Sequence, residues 1–278
     1  MKIELASSYG FCFGVKRAIK IAENAKDAVT IGPIIHNNDE INRLSLNFNV
    51  KTLEGIEEIK DEKKAIIRTH GITKGDLAEL QKSDVKVIDA TCPFVTKPQQ
   101  ICEKMSKDGY DVVIFGDENH PEIKGVKSYA VGNAFVVLEE SELDGVKLSQ
   151  KVAVISQTTR KVEKFMQIVN YLMLRVKEVR VFNTICNATF ENQDAVRELS
   201  KRADVMVIIG GKNSSNTKQL YLISKEFCPD SYLIENEAEL NAAWFEGKNL
   251  CGISAGASTP DWIIQNIVYK IENFTQNS

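Results

Sequence analysis

Short apolar runs alternate along this chain with longer stretches whose apolar residues recur at helical spacing. Ile3–Ala6 is apolar and is followed by VKRAIKIAENA, where Val15, Ala18, Ile19 and Ala22 share one helix face. The β-branched run Val85–Ile88 leads through DAT to Cys92, and Pro93 stands where a starting helix tolerates proline. VRVFN leads in the same way to Cys186 and to a helical run carrying Ala195, Val196 and Leu199. Cys12, Cys92 and Cys186 therefore share one kind of place, a strand-to-helix junction.

The repeat continues downstream of each cysteine. VTIGPIIHN ends in His36, YDVVIFGDENHPE holds His120 and Glu122, and DVMVIIGGKNSSN holds Ser214, Ser215 and Asn216. A further strand-to-loop junction follows in each third: AIIRTHG with His70, VAVISQTT with Thr158, and LCGISAGAS with Ser258. Strands alternating with helices predict parallel sheets, and such sheets bind ligands beyond the carboxyl ends of their strands. The pattern predicts an α/β protein of three similar domains, 13–92, 93–183 and 184–278, the last completed by 1–12. Each would be a small, mainly parallel sheet flanked by helices. A pseudo-threefold trefoil would turn the three cysteines and six polar loops toward one centre.

Composition narrows the function. The 278 residues are 43% hydrophobic and 26% charged, as in ordinary globular chains. A net charge of -3 argues against a sequence-independent nucleic-acid binder. No apolar run reaches the roughly 18 residues of a membrane span, and MKIELASSYG lacks a signal-peptide core. A cytoplasmic protein is expected. Its six cysteines are scattered without a CxxC pair, which disfavours disulfides, zinc ribbons and thioredoxin-like chemistry.

Three converging thiolates have two metal readings: zinc with a fourth ligand, or an iron–sulfur cluster. Structural zinc sites favour ligands close in sequence, which these are not. A four-iron cluster on three cysteines leaves one iron open to substrate. The chain's three histidines all lie in the strand-end loops. With the hydroxyls of Ser214, Ser215 and Ser258 and the amide of Asn216, they make a donor-rich lining suited to phosphate. KNSSN also suits a helix N-cap, and a capped N-terminus is itself an anion site. Glu122 is the one carboxylate in the set and could deliver protons.

GFCFGVKRA, GPIIHN, RTHGIT, DATCPFV, HPE, QTT, TICNAT, KNSSN and AGAS stand in the order found in the 4-hydroxy-3-methylbut-2-enyl diphosphate reductase (IspH/LytB) family. The resemblance runs over nearly the whole chain. It implies a three-domain trefoil around a [4Fe-4S] cluster, also recovered as [3Fe-4S], with Cys12, Cys92 and Cys186 as ligands. It implies reductive dehydroxylation of the allylic diphosphate to isopentenyl and dimethylallyl diphosphates, the last step of the non-mevalonate pathway. His36, His70, His120, Ser214, Ser215, Asn216 and Ser258 resemble the substrate contacts. Glu122 resembles the proton donor, and Thr158 its partner near the alcohol. With no GxGxxG loop, electrons would come from a separate carrier such as ferredoxin or flavodoxin. A monomer is expected.

Asp39 and Glu40 depart from the family pattern, which is more often apolar there, and Asn192 stands where arginine is expected. Cys102, Cys228 and Cys251 match no family ligand and read as packing residues. Two rival readings use the same residues differently. One is a cluster-dependent hydro-lyase resembling quinolinate synthase, with a carboxylate substrate and no net electrons. The other is a metal-binding regulator without catalysis.

Overall fold

The computed structural model describes residues 1–276 of the chain. It opens with β1 (Lys2–Leu5), α1 (Phe13–Ala25), β2 (Ala28–Ile31), α2 (Asn38–Phe48), β3 (Val50–Leu53), β4 (Lys64–Ile67), α3 (Lys74–Leu80) and β5 (Lys86–Asp89). Next come α4 (Pro93–Lys107), β6 (Asp111–Phe115), α5 (Pro121–Lys127), β7 (Ala134–Val137), β8 (Lys151–Ser156), α6 (Val162–Met173) and β9 (Glu178–Val181). The last are α7 (Asn187–Ser200), β10 (Val205–Ile209), α8 (Ser215–Phe227), β11 (Ser231–Ile234), β12 (Leu250–Ala255) and α9 (Asp261–Gln276).

The described strands form three four-stranded sheets, ordered β5-β4-β2-β3, β9-β8-β6-β7 and β1-β12-β10-β11. Every pairing is parallel. The expected α/β class with parallel sheets is therefore what the chain adopts, and the three sheets have one strand order. The strand before each cysteine is always an edge. Beside it lies the strand that ends at His70, Thr158 or Ser258. The next strand leads to His36, to His120 and Glu122, or to Ser214.

Each sheet also has a fourth strand that the apolar pattern does not announce. VKTL, AFVV and SYLI are four-residue edge strands, only partly buried. A run so short gives periodicity little to register. The central strands are plainer. DVVIF and VMVII are buried at every position, as expected for parallel strands covered on both faces. Each buried valine or isoleucine contributes roughly 1.5–3 kcal/mol, more than any propensity difference.

Packing divides the chain into two compact units. One comprises Met1–Lys16, Ile35–Arg43 and Asn187–Ser278; the other comprises Arg17–Ile34 and Leu44–Cys186. In the first unit the β1-β12-β10-β11 sheet has a core on each face. Ile263, Ile264, Ile267 and Ile271 of α9 pack with Val205, Val207 and Ile209. Val196 and Leu199 of α7, with Leu220 and Ile223 of α8, pack with Met206 and Ile208. In the second unit Cys102 and Met105 of α4 pack with Val112, Ile114 and Ile155, while Val29, Ile31, Ala65 and Ile67 form a separate core with Leu80.

Candidate functional site

Cys12, Cys92 and Cys186 each immediately precede a helix, α1, α4 and α7 respectively. Each is partly exposed. Each backbone N–H donates to the loop after the neighbouring strand: Cys12 to Ala257 O (3.3 Å), Cys92 to Thr69 O (3.0 Å) and Cys186 to Thr158 O (3.0 Å). The same bond in all three sheets fixes each cysteine against the next residue or loop of the candidate site. The turns leading in are also built alike in two cases. Asp89 Oδ1 accepts from Thr91 N–H at 2.8 Å, and Asn183 Oδ1 accepts from Ile185 N–H at 3.2 Å. Such Asx turns hold the chain in the shape the cysteine needs. Before Cys12 the turn uses Gly10 instead, at φ +71, a left-handed conformation that glycine adopts without cost.

The other three cysteines differ in kind. Cys102, Cys228 and Cys251 are buried within the cores. Burial pushes the thiols of Cys102 and Cys251 up to about 12 and raises that of Cys228. A thiol so poor at ionising is a packing group, since the thiolate is the ligand.

In the second unit Glu122 is 1% exposed. Thr158 holds both its oxygens: the backbone N–H donates to Oε1 and the hydroxyl to Oε2, each at 2.7 Å. Burial pushes the Glu122 carboxyl above its ordinary value, opposed by the two Thr158 bonds and by the Arg160 charge. Burial is the largest of these, so the neutral acid is favoured. The wholly buried Gln157 sets the loop, its Oε1 accepting from Asp117 N–H and Arg160 Nε, both at 3.1 Å.

His120 caps α5, its Nδ1 accepting from Glu122 N–H at 3.2 Å. In the neutral ring the proton therefore sits on Nε2, which becomes a donor. The His70 ring meets it edge-on, with centroids 5.3 Å apart. Thr69 Oγ1 donates to Ile34 O at 2.8 Å, so in its 3.4 Å contact with His70 the ring Nδ1 is the donor.

The first unit carries the anion donors. Ser214 caps α8, accepting from Thr217 N–H at 3.3 Å, and leaves the helix's positive end facing its own loop. Asn216 is 5% exposed, and neither its Oδ1 nor its Nδ2 has a hydrogen-bond partner. Two buried unsatisfied amide atoms are costly and call for a ligand or water. Ser258 Oγ donates to the His36 carbonyl at 3.2 Å. A Cβ added to Gly211 would lie 2.3 Å from that same carbonyl oxygen. His36, Ser258 and the loop before Ser214 thus close on one another. Ser215 is partly buried in the first turn of α8.

Sequence reasoning passed over several residues that this geometry uses. Gly211 was visible only as the second glycine of VIIGG. Gln157 stood in QTT but drew notice only to Thr158. Arg17 donates to Asp89 O and Thr91 O at 3.3 and 3.2 Å, bracing the turn before Cys92; a helical arginine carries no sequence signal of that role. Asn192, which the sequence marked as standing in place of an arginine, is not passed over: it accepts from Ser8 Oγ at 2.6 Å.

The LytB protein family model matches residues 3–272. The chain belongs to the LytB family. Among LytB relatives, the 4-hydroxy-3-methylbut-2-enyl diphosphate reductase of Campylobacter curvus is 83% identical over 99% of this chain and 100% of its own. The protein of that name from Campylobacter jejuni strain RM1221 is 70% identical over the full length of both. A solved structure of (E)-4-hydroxy-3-methyl-but-2-enyl diphosphate reductase, described as the terminal enzyme of the non-mevalonate pathway, is 44% identical. It aligns with a TM-score of 0.72 over 98% of this chain and 100% of that one. The reductase structure from Plasmodium falciparum is 25% identical, with a TM-score of 0.90 over 96% and 86%. Among the described residues no helix is long and apolar enough to cross a membrane.

Proposed function

We infer that this LytB chain is an oxidoreductase that converts 4-hydroxy-3-methylbut-2-enyl diphosphate to isopentenyl and dimethylallyl diphosphates, the terminal step of the non-mevalonate pathway. The observation that carries the reading is the buried Glu122 carboxyl gripped at both oxygens by Thr158, with burial raising its pKa toward the neutral acid. The names and full-length identity of the relatives support it. They also set it above the hydro-lyase and regulator readings.

Cys12, Cys92 and Cys186 would hold a [4Fe-4S] cluster. The fit rests on the donor set: three partly exposed thiols, each just before a helix, against three buried thiols that resist ionisation. Bound there, the cluster supplies electrons singly and one Lewis-acidic iron without a protein ligand. The three domains 13–92, 93–183 and 184–278 with 1–12 would share it, and the common strand order of the sheets supports that division.

The chain's own groups do the rest. Ser214, Ser215, Asn216, Ser258 and His36 bind the diphosphate; Asn216 offers two amide atoms that nothing else uses. His120 supplies a ring N–H donor through Nε2, and His70, whose Nδ1–H is turned to Thr69, offers its Nε2 as an acceptor. Glu122 and Thr158 move the proton. When Glu122 is protonated, its Oε2–H donates to Thr158 Oγ1, and the threonine's own hydrogen turns toward the substrate hydroxyl. Thr158 N–H keeps Oε1 in place in either state.

The balance is two electrons and two protons. The C–O bond breaks, and the oxygen takes one proton and leaves as water. The second proton forms a C–H bond at one of two allylic carbons, giving two products. Electrons come from a separate carrier, ferredoxin or flavodoxin in type, and the protein acts as a cytoplasmic monomer. Anaerobic single-turnover assay with a chemical reductant as sole electron source tests the reading. Formation of both alkenyl diphosphates is expected; a hydration or elimination product without electron uptake would sink it.

A further inference from the structure

Glu40 is a carboxylate at 1% exposure that the reaction does not use. It lies in the first turn of α2, four residues after His36. Arg43 grips it through two nitrogens, Nε at 2.9 Å and Nη2 at 2.7 Å. Trp262 Nε1 donates to Glu40 Oε2 at 3.0 Å. Glu40 N–H donates to the side chain of Asn37, next to His36, at 3.0 Å. Asn37 is itself 5% exposed.

These bonds form a pattern with the Ser258–His36 bond. The Ser258–His36 and Trp262–Glu40 bonds span the same 222 positions. His36 and Glu40 are four apart, and so are Ser258 and Trp262. Two rungs therefore join the His36 segment to the segment that enters α9. The upper rung ends on His36 itself. The lower rung ends on a buried charge, whose hydrogen bonds are the stronger kind. Losing one partner of a buried charge is costly, so the lower rung is the firmer of the two.

We propose that Glu40, clamped by Arg43 and Trp262, is a positioning group for diphosphate binding: it holds His36 and Ser258 in register through the lower rung. The proposal rests on the diphosphate reading above. Glu40 touches no substrate. Its effect passes through the backbone of Asn37 and His36, where a displacement on the order of 1 Å is enough to spoil a polar contact. It also gives a structural role to Glu40, which departs from the pattern that the resemblance leads one to expect there.

Glu40→Ala removes the carboxylate that Arg43 grips and endangers the fold, so Trp262→Phe carries the test. It removes the donor and keeps an aromatic ring at a position already 40% exposed. The probe is inorganic diphosphate, titrated calorimetrically into anaerobic holoprotein. The parent, Trp262→Phe, His36→Ala and the double variant are compared, with iron content measured on each. Trp262→Phe should weaken binding about tenfold in the parent and less than about twofold in the His36→Ala background. An equal loss in both backgrounds, or no loss in the parent, overturns the clamp while His36→Ala still weakens binding. If His36→Ala binds inorganic diphosphate as tightly as the parent, the diphosphate reading itself falls and the clamp with it.

Discussion

Thr158 reaches both oxygens of the Glu122 carboxyl, one through its backbone and one through its hydroxyl, each at 2.7 Å. One residue thus fixes the acid's orientation. Glu122→Gln keeps the shape and removes the proton. Turnover should fall at least a hundredfold or so, with the cluster spectrum and iron content unchanged. Single-turnover product formation and iron analysis on one sample decide it: turnover within a few-fold of the parent removes Glu122 from the mechanism.

The same carboxyl gives a pH dependence with a definite sign. Its pKa is raised above 4.5 by burial. The folded state therefore binds a proton more tightly than the unfolded chain. Its contribution to stability is full below the unfolded value and is lost as pH rises through the folded one. Activity that needs the neutral acid should fall over the same rise. Melting curves of parent and Glu122→Gln across pH should converge in acid and separate in base, with the variant less sensitive. Parallel curves at all pH values count against the assignment.

Asn216 separates binding from stability. Its two amide atoms bond to nothing in the protein, so Asn216→Ala removes no internal hydrogen bond. Affinity for the substrate diphosphate should drop about tenfold to a hundredfold. The melting temperature should hold or rise, since a buried unsatisfied amide is lost. Ser214→Ala should cost affinity and also about 1 kcal/mol, because Ser214 caps α8. If Asn216→Ala melts early and binds normally, the amide is structural.

The cysteines should fall into two groups. Replacing Cys12, Cys92 or Cys186 with serine should strip iron and sulfide. Cys102→Ser and Cys251→Ser should keep iron but lose about 1–3 kcal/mol, since each buries a hydroxyl in an apolar core. Iron, sulfide and denaturation midpoints on all five variants provide the check. A Cys12→Ser protein with its full iron contradicts the ligand set.

Gly211→Ala tests the closeness of the His36 segment. The new methyl would stand 2.3 Å from a backbone oxygen, which a side-chain rotation cannot relieve. His36 must shift, so diphosphate affinity should fall at least about tenfold. Unchanged affinity in titration would mean the loop yields freely.

Much of this was readable along the chain because parallel α/β units repeat. Apolar runs such as DVVIF and VMVII announce central strands, and one polar loop follows each. The class, the cysteines at helix starts and the loop positions of the histidines all come from that order. The fourth strands, VKTL, AFVV and SYLI, did not come through, because four partly buried residues leave no periodic trace. Thr158's double grip on Glu122 joins positions 36 apart, which spacing alone does not reveal. Glu40 could be seen as out of pattern, but Trp262 as its partner required the fold.

The backbone bonds of Cys12, Cys92 and Cys186 bear on repair. Each is made by the polypeptide to itself, and each sheet carries its own apolar core. Each cysteine's backbone is thus held by bonds within the polypeptide, whereas small metal domains unfold when the ion leaves. On the cluster reading above, a chain that lost its inorganic centre would keep these backbone anchors, and refilling it would call for iron, sulfide and reductant with no second passage through folding.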